Sequence, residues 1–286
     1  MNTKHYDVPL KQPSNVPWLK YPKWWDILGQ PLRPSQQDLD FLRLEVLPKI
    51  TYIPSKKKLA LLLGVTPEIA TLPWDEHTEI MAVDSSPNMI NSIWPQEKVP
   101  RGKAICGDWR QIPLPDNSCD SILGDGCFTL LDYPDGYQQV LREVCRVLKP
   151  QGLLSMRFFL SPSEPEDLSL VFEQLRAKSI GNFHIFKLRL AMALQKSVQE
   201  GIAVADIWQV WQEEIANPES FLEELGWSSE LLSTMDIYQN SSSVYTFPTL
   251  AQIRNIFLPH LRETVTYFPT YELGERCPTI LFQLQK

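Results

Sequence analysis

Three aspartates close three short apolar stretches: IMAVD at Asp84, KAICGD at Asp108, and CDSILGDG at Asp125 with Gly126. Ahead of them, LALLL closes on Gly64. An ionised carboxylate accepts several hydrogen bonds and accepts them strongly, so an acid at a strand end suits a pair of vicinal hydroxyls. Asp84 stands where nucleoside and dinucleotide binders set an acid against ribose. The other reading makes it a cap for the helix that starts at Ser85 or Ser86. Asp108, with Trp109 beside it, reads as an acceptor for an adenine amino group or as a loop acid with no ligand. Met89 is flexible and polarisable enough to lie against a purine ring. For proton transfer the candidates are Asp125, Asp132, Tyr133 and His184. His184 sits in an apolar stretch and reads first as structural. Arg157 reads either as a grip on an anionic substrate or as a packed arginine.

These residues need strands and helices that alternate. Leu59 to Leu63 is a near-continuous apolar run, as in a parallel strand covered on both faces. GVTPEIA follows, with Pro67 suited to a first helical turn and donors offered at that helix start. Strands are predicted at Ile80–Asp84, at KAICGD, at Asp120–Gly124 and at Leu153–Phe159. The last follows a helix with a Val140, Leu141, Val144, Leu148 stripe and a KPQG turn. Two late strands, ETVTYFPTYEL and TILFQLQ, are joined by a short link and form an antiparallel pair. The fold class is therefore α/β: a doubly wound, mostly parallel seven-stranded sheet with an antiparallel C-terminal strand, an N-terminal arm and a helical insertion. The expected division is 1–50 for an aromatic arm and helix, 51–162 with 248–286 for the core, and 163–247 for an insertion of helices only. In the arm, Trp18, Tyr21, Trp24 and Trp25 either pin it to the core or wall a pocket. Ser35 and Asp38 form a capping box for a helix that Pro48 stops. The Lys56–Lys58 run reads as a solvated strand entry.

The bulk numbers exclude several classes. In 286 residues, 43% are hydrophobic, enough for a sizeable core. The net charge of −7 disfavours a nucleic-acid partner, whose binding rests on neutralised phosphates. Five cysteines form no CxxC pair and read as buried thiols, and the four histidines show no metal spacing. No metal is expected. No basic patch precedes an apolar leader, and no apolar run approaches the roughly 18 residues of a membrane span. The expectation is a cytoplasmic protein with no membrane partner; the oligomeric state stays open.

In order, LLLG with its turn, AVD, GDW and CDSIL…LREVCRVLKPQGLL resemble the class I S-adenosylmethionine-dependent methyltransferases of the small-molecule type, over about Lys58 to Phe159. The resemblance implies S-adenosylmethionine as cofactor and a small-molecule acceptor. It places Gly64 and its turn near the methionine portion, Asp84 with Ser85 at the ribose, Met89 on the adenine, and Asp108 with Trp109 at the adenine edge. Asp125 and Gly126 would border the methyl group and the acceptor. The first turn departs from the family in holding one glycine. Val65 and Thr66 disfavour positive φ, so a wider or differently shaped turn is expected. Glu68 is a candidate to accept from the cofactor's ammonium group. Transfer is expected to rest on proximity and desolvation in an enclosed pocket. The alternative is a non-catalytic cofactor-binding or scaffold protein with this fold. A nicotinamide oxidoreductase fits poorly, because GxGxxG is absent.

Overall fold

The computed structural model describes residues 25–285. Trp18, Tyr21 and Trp24 of the expected arm lie outside them. Seven strands form one sheet in the order β3-β2-β1-β4-β5-β9-β8. They are β1 (Lys58–Leu63), β2 (Thr78–Asp84), β3 (Gly102–Cys106), β4 (Cys119–Asp125), β5 (Leu148–Arg157), β8 (Leu261–Tyr267) and β9 (Thr279–Leu284). The first five pair in parallel, and β9 runs antiparallel to both β5 and β8. The expected fold class is what the structure shows.

The continuous apolar runs are explained by the two covered faces. Leu61, Leu63, Val83 and Ile122 enter one core with Phe128, Tyr137, Val144, Phe257 and Phe282. Their neighbours Leu62, Ala82 and Leu123 enter the other with Phe41, Val46, Ile69 and Met89. The period of two along each strand sends alternate side chains to opposite cores.

Ser35 and Asp38 make the expected capping box at α1 (Gln36–Phe41). Pro48 does not stop this helix. The chain passes through a π-helical stretch, Leu42–Val46, into α2 (Leu47–Thr51), where Pro48 occupies the first turn. The π stretch changes the hydrogen-bond register just before the proline, so its missing N–H falls where the ladder is already shifting. After β1 comes α3 (Pro67–Ala70), a single turn, so the donors expected at its start come without the dipole of a long helix. Next are α4 (Pro87–Ile93) and α5 (Asp135–Val147). The KPQG turn falls inside β5, at a register shift opposite Cys119/Ser121, with Gln151 at φ +66°. Lys58 is not solvated: it is buried, with its ammonium 3.6 Å from Asp75.

The segment after β5 carries α6 (Leu168–Arg176), α7 (Phe183–Leu194), α8 (Val204–Glu214), α9 (Pro218–Leu225) and α10 (Ser233–Asp236). It is not purely helical. β6 (Ile202–Ala203) and β7 (Val244–Tyr245) pair as a short antiparallel ribbon. These helices gather around their own core, centred on Trp211, Phe183, Phe186 and Phe172. The chain then returns through α11 (Leu250–Phe257) to β8.

Candidate active site

The pocket opens at the carboxyl ends of β1, β2 and β4. Gly64, at the end of β1, takes φ +96°, a conformation that side chains strain against. Val65 and Thr66 keep negative φ, so one glycine is enough for this turn and it need not be widened. The glycine also keeps space clear: a Cβ there would lie 3.9 Å from both Asp84 Oδ2 and Trp109 Cζ2. Trp109 is held in place by its indole N–H, which donates to Val83 O at 2.6 Å. Ser86 N donates to Asp84 Oδ1 at 2.8 Å, and the Val65 amide also donates to this carboxylate. Burial nonetheless raises the Asp84 pKa above the ordinary carboxylate range. Ser86 caps α4 through Met89 N at 3.2 Å and seats Met89 in the wall. Gly64, Asp84, Ser85, Met89, Trp109 and Asp125 thus line one pocket.

Other anticipated residues sit elsewhere. Asp108 is not in the wall; its carboxylate is taken by Arg110, whose Nη2 lies 2.7 Å away. Burial opposes the Asp108 charge, but the Arg110 side chain and amide lower its pKa overall. Glu68 is also outside, accepting from Arg33 Nε at 2.7 Å, while its buried Oε2 has no protein partner. Among the four candidates for proton transfer, only Asp125 reaches the pocket. It is ion-paired with Arg157, which also donates to Pro31 O at 2.8 Å and Tyr271 Oη at 3.2 Å. Burial pushes the Asp125 carboxyl up while Arg157 pulls it down, and the guanidinium stays charged. Arg157 is therefore packed rather than free to grip an anion. Asp132 caps the start of α5 by accepting from Gly136 N at 3.2 Å. Tyr133 packs edge-on against Tyr137. His184 is buried, with Nε2 3.2 Å from Ile27 O, and burial first and Lys187 second lower its pKa to about 4.

The far wall comes from the segment that follows β5. Thr246 Oγ1 accepts from Tyr137 Oη at 3.2 Å and donates its one hydrogen to Leu131 O at 2.8 Å. This fixes Tyr245 and Phe247 on either side of it, both at the pocket. Lys187 and Ala191 reach the pocket from α7, one turn apart. Trp25 adds its ring from the N-terminal side, with Arg33 stacked over it at 5.0 Å.

Residues 61–156 match the family described as the methyltransferase domain. Over that stretch, about a third of its length, the chain is similar to methyltransferase domains. Over 142 residues it is 31% identical to a demethylmenaquinone methyltransferase of Listeria monocytogenes, an alignment of 47% of this chain. The chain spans 57% of the length of that curated relative. The PH0226 protein of Pyrococcus horikoshii superposes with TM-score 0.51 at 16% identity, covering 92% of this chain and 99% of that one. A Rhodobacter sphaeroides protein named after Zn-dependent alcohol dehydrogenases superposes with TM-score 0.57 at 12% identity, covering 93% and 98%. At such identities the two structures speak to the fold alone.

The matched stretch ends at Met156, so it includes Gly64, Asp84 and Trp109 but none of the far wall. Lys187 is the functional candidate that sequence reasoning passed over. Its signal was present: one lysine inside FHIFKLRLAM, the apolar stretch that holds His184. Phe159 and Thr129 also line the pocket, and nothing in their spacing marks them; Trp25 lines it too, one of the two roles the arm's aromatics offered. Among the described residues no three His, Cys, Asp or Glu side chains are set to hold a metal, and no helix is long and apolar enough to cross a membrane.

Proposed function

We propose that the protein transfers a methyl group from S-adenosylmethionine to a small-molecule acceptor bound between the sheet edge and α7. The observation that carries this reading is one pocket that joins Gly64, Asp84, Met89 and Trp109 to an apolar chamber walled by residues after β5. The residues present fit the cofactor. Asp84 offers an ionised acceptor for two ribose hydroxyls, and Met89 and Trp109 supply flat, apolar flanks for a purine. Gly64 allows a ligand to approach the backbone closely.

The bound cofactor supplies an electrophilic methyl group on a cationic sulfur. The chain's part is to hold the acceptor in line with that methyl and to keep water out, by proximity and desolvation. Phe159, Leu188, Phe247 and Trp25 provide the water-excluding surface. Of the four anticipated proton acceptors, three lie off the pocket and the fourth is tied to Arg157, which supports a mechanism that leans on none of them.

Calorimetric titration of the full chain with S-adenosylmethionine tests the reading. Micromolar binding is expected, and Asp84→Ala should weaken it about 10- to 100-fold, as loss of hydrogen bonds to a charged group does. Absence of binding by the wild-type protein would overturn it.

A further inference from the structure

Lys187 is a cation in an otherwise apolar chamber. It is the one lysine or arginine side chain among the described residues that line the pocket. Its Nζ donates to Thr234 O and to Thr234 Oγ1, the latter at 3.1 Å. An ammonium has three hydrogens, so one is left over. The Tyr238 ring lies beneath Nζ at 4.5 Å. No carboxylate lies within ion-pairing distance among the described residues. Asp236 acts on the lysine only through space, and the Asp236 carboxylate itself accepts from Trp208 Nε1 at 3.3 Å. His184, one turn earlier on α7, also feels its charge through space, and the other titratable residues that line the same pocket are Asp84, Asp125, Cys127, Tyr238 and Tyr245. A buried cation without a counter-charge is costly. Its remaining hydrogen is left for the Tyr238 ring or for a ligand in the pocket that Lys187 lines.

We propose that Lys187 is the docking point for the acceptor's reacting oxygen, and that the acceptor is a flat, largely apolar molecule with an acidic hydroxyl, a phenol or an enol. This rests on the methyl-transfer reading of the same pocket. One spare donor matches one oxygen. A carboxylate would bring several acceptor sites into a chamber that offers a single charged donor, and its desolvation would go uncompensated. The Tyr238, Tyr245 and Phe247 rings suit a flat apolar body. Burial lowers the ammonium to about 7, against the pull of Asp236, so the free amine is present at neutral pH. When that amine meets the hydroxyl, the O–H bond breaks and an N–H bond forms. The oxygen keeps the electron pair, and the ammonium then faces the oxyanion it has produced. A nucleophile thereby forms where it is needed, and the pair is neutral overall.

The test uses two probes of the same shape, 4-nitrophenol and nitrobenzene, titrated into the full chain with and without S-adenosylhomocysteine. 4-Nitrophenol should bind about 10-fold more tightly or better, carry the visible absorbance of its anion, and ionise when bound at a pH at least about one unit below its free value. Lys187→Met should abolish that shift and bring its affinity down to that of nitrobenzene, whose own affinity stays put. Lys187→Gln, a polar replacement, should behave the same way and guards against misfolding of the first variant. Equal affinity of the wild type for both probes overturns the proposal without any variant. So does binding of neither, or an equal loss of both in the variants, which would mark a packing role. If the probes discriminate but S-adenosylhomocysteine gives no heat and changes nothing, the cofactor reading fails while the lysine site stands.

Discussion

Gly64 and Asp84 act together, because the backbone angle of one makes room beside the carboxylate of the other. A Gly64→Ala variant would meet only ordinary van der Waals contacts, but φ +96° is a strained conformation for alanine. We expect a loss of about 1–2 kcal/mol in urea denaturation, with weaker S-adenosylmethionine binding. The raised Asp84 pKa adds a pH dependence. Its ionised form is the one that accepts from hydroxyls, so cofactor affinity should fall on acidification sooner than an ordinary aspartate would allow. His184 gives a separate signal. Its folded pKa of about 4 lies below its usual 6.5, so the unfolded chain takes the proton first as pH falls. Stability should therefore drop between about pH 6.5 and pH 4, by up to ~3 kcal/mol, and be unaffected above that window. Comparing His184→Phe with wild type in urea at pH 7.5 and 4.5 should show the gap narrowing in the variant's favour at the lower pH.

Among the elements, Arg157 is the tie. From the end of β5 it reaches Asp125 on β4, Pro31 O before α1, and Tyr271 after β8, with Asp38 of α1 at 3.8 Å. Arg157, Asp125 and Asp38 are all nearly inaccessible to solvent. Removing the guanidinium leaves buried carboxylates uncompensated, so Arg157→Met should cost about 3–5 kcal/mol. Asp125→Asn introduced into Arg157→Met should recover part of that loss. A double-mutant cycle by chemical denaturation measures it, and strictly additive losses would contradict the coupling. Gly126 shows why this junction is tight: at φ +63°, a Cβ there would come within 2.6 Å of the Phe159 ring.

Across the whole molecule, two bodies of apolar packing face one pocket. The sheet has a core on each face, and the segment after β5 has its own around the fully buried Trp211. Trp211→Ala should lose about 3–5 kcal/mol in denaturation. Because Trp211 lines no part of the pocket, S-adenosylmethionine affinity under native conditions should change less than about threefold. A large loss of affinity would mean that the two bodies are coupled more strongly than their separate cores imply.

The sequence by itself determined the sheet. Continuous apolar runs that ended in aspartate or glycine needed cover on both faces, and that requirement is local enough to read from residues 58–125. It also marked Gly64 and Asp84, whose strand-end positions follow from the same periodicity, while Met89 in α4 and Trp109 after β3 were placed by the family resemblance. Where α1 ends was misread, because a π-helical register change that absorbs Pro48 leaves no pattern of its own. Asp108 and Glu68 looked like ligand groups because an acid's type and position do not reveal its partner. Arg110 and Arg33 took those carboxylates, and the second lies 35 residues from its partner in the chain. Only tertiary structure decided that Asp132, Tyr133 and His184 point away from the pocket and that Lys187 reaches it. Which buried side chains meet across a cavity depends on where α7 lies relative to the strand ends, and Lys187 shares its pocket with Gly64 and Asp84, both more than a hundred residues earlier.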